Sequence, residues 1–178
     1  MDILPQTWNN EWKKQIAVFL ANLYKDCSND HFIQMNLNSL LWQATTMTLI
    51  DNKPKLIKYA GQPLWSEKAH LLYKQNNPKG KSNYKDLRHD HVVPRSVVKR
   101  LIEKSDKKYE SIYNILKDYS HAIIITKDED LILNKYGYKS SMPVNENKLT
   151  AKNAFCRYKN EDVQKEIIIT FSVDLHKD

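Results

Sequence analysis

The sequence predicts an α+β fold, helical in its first half, with a strand–strand–helix unit and a terminal hairpin in its second half. Three observations predict it. Apolar residues recur at three- and four-residue spacing through the first third of the chain, the mark of helices with one buried face. One β-branched run, at 121–126, leads straight into a helix-capping signature. Two short apolar segments flank a polar turn near the C-terminus.

The first helix is expected after Pro5, with Thr7 as cap and Trp8, Trp12, Ile16, Phe19, Leu20 and Leu23 on one stripe, ending near Cys27-Ser28-Asn29. Leu37, Leu40, Leu41, Ala44 and Met47 predict a second, whose end the Thr45-Thr46 and Thr48 cluster weakens. At this spacing Trp42 and Met47 read as core filler. A polar turn and a short extended piece follow at 51–58, and Gly61-Gln62-Pro63 punctuates them. Trp65, Ala69, Leu72 and Tyr73 then predict a short third helix, and 76–83 is the most loop-like stretch of the chain.

A strand is expected around 87–93, then Pro94, then two helices separated by Ser105-Asp106. The run at 121–126 reads as a buried strand. Thr126-Lys127-Asp128-Glu129 reads as a capping box for a helix that Gly137 closes. Residues 140–150 read as loop, and 155–158 with 167–173 as a hairpin around Asn160-Glu161-Asp162. The whole is expected to be one domain: a helical part at 1–75, a basic loop at 76–86, a catalytic core at 87–137 and a hairpin region at 138–178.

Composition narrows the function classes. No apolar run approaches the ~18–20 residues that span a bilayer, and the first ten residues lack a signal-like pattern, so a cytoplasmic address without a membrane partner is expected. Cys27 and Cys156 stand in no CxxC spacing, against a disulfide framework or a cysteine zinc site. Three glycines exclude a glycine-rich phosphate loop. The net charge of +7 is localised: 53–108 holds 15 Lys and Arg against 5 Asp and Glu, while the flanks are slightly acidic. A field concentrated in this way draws a polyanion, so nucleic acid is the expected partner.

The densest chemistry lies inside that basic segment, in Arg88-His89-Asp90-His91-Val92-Val93-Pro94-Arg95-Ser96. In an extended chain His89 and His91 share one face and Asp90 takes the other, unless a bend at the strand end makes Asp90 and His91 converge. If converged, they would supply a carboxylate for a divalent cation and a near-neutral base for water, the needs of phosphodiester hydrolysis. Arg88, Arg95, Lys99 and Arg100, with Lys79 and Lys81 in the loop, are the candidate phosphate contacts, and His89 is a further one.

Asp90-His91-Val92-Val93-Pro94 resembles the Asp-His-Ile-x-Pro opening of the HNH, or ββα-metal, nucleases, and 121–126 with the helix after it is similar to that family's second strand and helix. The resemblance covers about residues 87–137 and implies His91 as general base and Asp90 as metal ligand. It places His121 where the family has Asn, and Asp130 or Asn134 where it has its last ligand. It also implies a Mg²⁺ or Mn²⁺ cofactor, with Zn²⁺ as a further option, DNA ahead of RNA as substrate, and a homodimer if two strands are cut. The chain departs from the family in the two helices expected between the halves of the motif. Two other readings remain open: a metal-independent toxin-type RNase using His91 and His121 with Arg88 or Arg95, and a non-enzymatic nucleic-acid-binding or phage-defence accessory protein.

Overall fold

The computed structural model describes residues 9–50, 53–59, 62–76 and 84–171. Thr7, Trp8, most of the basic loop with Lys79 and Lys81, and the end of the tail lie outside them. The chain is α+β, with its helices dominating the first half.

Helix α1 (Asn10–Asp26) begins at Asn9, which has φ 50°, a left-handed conformation that Asn tolerates. The Asn9 side-chain amide donates to the Ala44 carbonyl at 2.6 Å, fastening the start of α1 to the end of α2 (Asp30–Thr46). Asn29 caps α2 by accepting from the Phe32 N–H. At the other end the Thr45 and Thr46 hydroxyls both donate to the Trp42 carbonyl. Hydroxyls that occupy a helical carbonyl favour termination, and the chain turns into strand β1 (Met47–Ile50), which pairs antiparallel with β2 (Lys53–Leu56).

The second sheet is four-stranded, in the order β4–β5–β3–β6, with β3 at Leu64–Ser66, β4 at Leu87–His91, β5 at Ala122–Thr126 and β6 at Ile169–Phe171. Every residue of β5 is buried, as a near-continuous apolar run in a central strand should be. β4 runs antiparallel to β5 with His89 opposite Ile124, Asp90 opposite Ile123 and His91 opposite Ala122. Helices α4 (Arg95–Lys104) and α5 (Tyr109–Tyr119) fill the connection, and α6 (Lys127–Lys135) follows β5 through the capping box, completing the strand–strand–helix unit.

Two expectations are corrected. Trp65 belongs to β3 rather than to the third helix: α3 (Glu67–Asn76) starts after Ser66, whose hydroxyl accepts the Ala69 N–H at 3.0 Å. The tail forms no hairpin. Its first half is a helical turn, α7 (Cys156–Lys159), and Asn160 caps a second one, α8 (Glu161–Gln164), instead of turning a strand. β6 pairs with β3, so its partner comes from the middle of the chain.

Three apolar clusters result. Ile16, Leu20, Leu37, Leu41, Ile102 and Leu116 join α1, α2, α4 and α5. Ile123, Ile125, Leu133, Tyr158 and Val163 pack on one face of the sheet. Trp65, Ala69, Leu87 and Ile124 pack on the other, against α3.

Candidate functional site

Strand β4 alternates without a bend, so its two faces carry different chemistry. His89 and His91 point toward the last turn of α2, with ring centroids 5.2 Å apart. Trp42 stands against both, at 5.1 Å from His89 and 5.7 Å from His91. Thr45, three residues on and so on the same side of α2, has its hydroxyl 3.1 Å from Nε2 of His91. The one hydroxyl proton of Thr45 goes to the Trp42 carbonyl. With the Thr45 proton assigned to that carbonyl, the oxygen accepts from Nε2–H and the lone pair of His91 is assigned to Nδ1. Two cations rest on the same indole, Arg95 at 5.7 Å and Lys58, just beyond β2, at 5.4 Å from its centroid.

The environment keeps both imidazoles neutral. Burial lowers His89 to about 4; Lys58 and Arg95 add to this, while the nearby Thr45 backbone opposes it. Burial likewise holds His91 well below the ordinary imidazole range, with His89, Arg95 and Arg157 acting in the same direction. Neither ring nitrogen of His89 has a hydrogen-bond partner of ordinary geometry, although both are buried.

Asp90 faces the other way. Its carboxylate accepts from the Tyr158 hydroxyl and pairs with Arg157 at 3.3 Å. Burial raises its pKa, Arg157 and Tyr158 pull it down, and Asp130 pushes it up. Arg157 is fully buried and also donates to the His91 carbonyl at 2.6 Å and the Val92 carbonyl at 3.4 Å. One guanidinium thus neutralises Asp90 and fixes the backbone at the end of β4.

The expected assembly of Asp90, His91 and His121 is therefore not formed. Asp90 and His91 project from opposite faces. The His121 carbonyl accepts from the Val92 N–H, just past the end of β4, at 2.9 Å. The His121 ring stacks on Phe155 at 6.3 Å and lies near Lys13, and burial first, then Lys13, lowers its pKa. On α6, Asp130 acts on Asp90 only through its charge, and the buried Oδ1 of Asn134 has no hydrogen-bond partner. Among the described residues no three His, Cys, Asp or Glu side chains are grouped to hold a metal ion. With Asp90 already engaged by Arg157 and Tyr158, the residues implied as ligands for Mg²⁺, Mn²⁺ or Zn²⁺ do not fit that role in this arrangement.

Of the candidate phosphate contacts, Arg95 reaches the histidine face and is exposed. Arg88 folds back to donate to the Lys85 and Leu87 carbonyls. Arg100 pairs with Glu146 through Nε at 2.7 Å, beside a groove of about 370 Å³ along α4 that is separate from the histidine pair. Lys99 is half-buried on the same helix. Sequence reasoning missed Trp42, Thr45, Lys58, Arg157 and Tyr158. The threonine cluster after Trp42 is the one local signal, since hydroxyls at a helix end favour side-chain hydrogen bonds.

No family model, no curated protein and no solved structure matches the chain. Among the described residues no helix is long and apolar enough to cross a membrane.

Proposed function

We propose that this chain cleaves phosphodiester bonds in nucleic acid, with His89 and His91 as a proton-transfer pair. The observation that carries this reading is the pair itself: two largely desolvated imidazoles 5.2 Å apart, beside an indole that bears two cations. Two imidazoles can take and give protons at one phosphorus centre. Arg95 and Lys58 stabilise the charge that accumulates on the phosphoryl oxygens, and as they leave the Trp42 ring for the phosphate the indole offers a face on which a base stacks. The basic excess at 53–108 supplies attraction for the polyanion.

The test is incubation of the purified protein with labelled oligonucleotides in EDTA. His91→Ala and His89→Ala are each expected to lower the cleavage rate by about 10²–10⁴-fold with binding retained. Arg95→Ala should weaken affinity and reduce its salt dependence by about one phosphate contact. Cleavage that EDTA abolishes, or that survives in the double histidine variant, overturns the assignment. Oligonucleotide binding without cleavage under any condition would favour a binding module.

A further inference from the structure

We infer that the substrate is single-stranded RNA and that its own 2′-hydroxyl is the attacking group. The inference rests on the phosphodiesterase reading above and concerns what the histidine face lacks as well as what it holds.

Cleaving a phosphodiester requires a nucleophile as well as proton transfer. On DNA it must be water or hydroxide made reactive in place, or a side chain of the protein. The neighbouring carboxylate, Asp90, is turned to the opposite face of β4 and engaged by Arg157 and Tyr158. No three metal-ligating side chains are grouped among the described residues. The Thr45 hydroxyl on the histidine face is held between the Trp42 carbonyl and His91, so the face presents proton carriers and cations. Such a face suffices for a substrate that brings its nucleophile on the adjacent ribose carbon, where proximity replaces activation.

The step closes chemically. Nδ1 of His91, left with its lone pair because Nε2 is held by Thr45, takes the 2′-hydroxyl proton. The O2′–P bond forms and the P–O5′ bond breaks. His89, neutral in the free protein, takes up a proton as the negative phosphate arrives beside it and gives that proton to the departing 5′ oxygen, leaving a 2′,3′-cyclic phosphate and a 5′-hydroxyl. Exchange of one proton with water then resets the pair. The nitrogens of His89 make no hydrogen bond of ordinary geometry beyond the pull of the Thr45 backbone, so a phosphate oxygen reaching them would be the better acceptor. Single strands are indicated by Trp42: its indole can receive a base only if that base is free of its own helix.

The experiment compares three 5′-labelled oligonucleotides of one sequence, all in EDTA: RNA, DNA, and DNA with a single central ribonucleotide. RNA is expected to be cut, DNA at least about 10³-fold more slowly, and the chimera only on the 3′ side of its ribonucleotide. Mass spectrometry of the products should show the cyclic phosphate. Trp42→Ala should weaken binding of single-stranded RNA, and Trp42→Phe should restore much of it, separating stacking from a folding defect. Comparable cleavage of the all-DNA strand, or products ending in a 3′-hydroxyl, overturns the RNA inference and leaves the phosphodiesterase reading standing. Bound but uncut RNA, DNA and chimera remove that reading, and this inference with it.

Discussion

At the scale of single residues, the arrangement turns on which way Asp90 points. Alternation along β4 was legible in Arg88-His89-Asp90-His91, and the structure follows it: both imidazoles face α2 and the carboxylate faces Arg157. The convergence implied by the resemblance needed a bend, and the continuous pairing of β4 with β5 leaves none. Trp42, Thr45 and Lys58 were not legible as site residues because they reach the histidines through packing between elements 30 to 50 residues apart, which leaves no local pattern. This division of faces makes a prediction about Asp90. Asp90→Ala strands the buried Arg157, and an unpaired buried charge costs about 3–5 kcal/mol, readable by urea denaturation. Asp90→Asn should retain cleavage at temperatures where the protein stays folded, because position 90 does not face the reacting groups. A folded Asp90→Asn protein that has lost activity would place the carboxylate in the chemistry after all.

Elements read well where their signals were local and poorly where partners were distant. The capping box at Thr126 and Glu129 was legible because both its hydrogen bonds span three residues. The same Glu129 does something the sequence did not announce: its Oε2 also accepts the Ser66 hydroxyl at 2.6 Å, tying α6 to β3. The strand pairing of β3 with β6 spans about a hundred residues, and a tail with apolar residues on both sides of a turn is equally compatible with a hairpin. Asn160 resolves it by accepting the Asp162 and Val163 N–H groups as a cap. Glu129 therefore matters more than an ordinary N3 residue. Thr126→Ala should cost about 1 kcal/mol, as the loss of a cap does. Glu129→Ala should cost about 2–3 kcal/mol, because it leaves the buried Ser66 hydroxyl and Thr126 N–H without their acceptor. Glu129→Gln should fall between, since its amide oxygen can still accept. Equal unfolding midpoints for the Thr126→Ala and Glu129→Ala proteins would show that the tie between α6 and β3 contributes nothing.

For the whole molecule, the helical cluster and the sheet meet around Phe155, which packs against both cores and carries the His121 ring on its face. Lys13, beside His121, is fully buried, and its Nζ has no hydrogen-bond partner. Burial lowers its pKa to about 7, against the opposing charge of Asp118. The folded form therefore releases a proton near pH 7 that the unfolded chain keeps to about 10.5. Between these values the unfolded state binds more protons, so stability rises with pH, by at most about 1.4 kcal/mol per pH unit from this group. On the acid side His89, His91 and His121 act in the same sense. Their folded pKa values are depressed, so stability is lost as pH falls below about 6.5, where the unfolded imidazoles take up protons. Asp90, with its pKa raised, partly offsets this at the acid end. Most small proteins are most stable between pH 5 and 8; here the urea midpoint should still be climbing between pH 7 and 9. Lys13→Met keeps the chain's volume, removes the desolvated amine, and should raise the midpoint at pH 7 while flattening that climb. A pH dependence unchanged by Lys13→Met would mean that the amine reaches water and that the junction of the two cores is open where the structure has it closed.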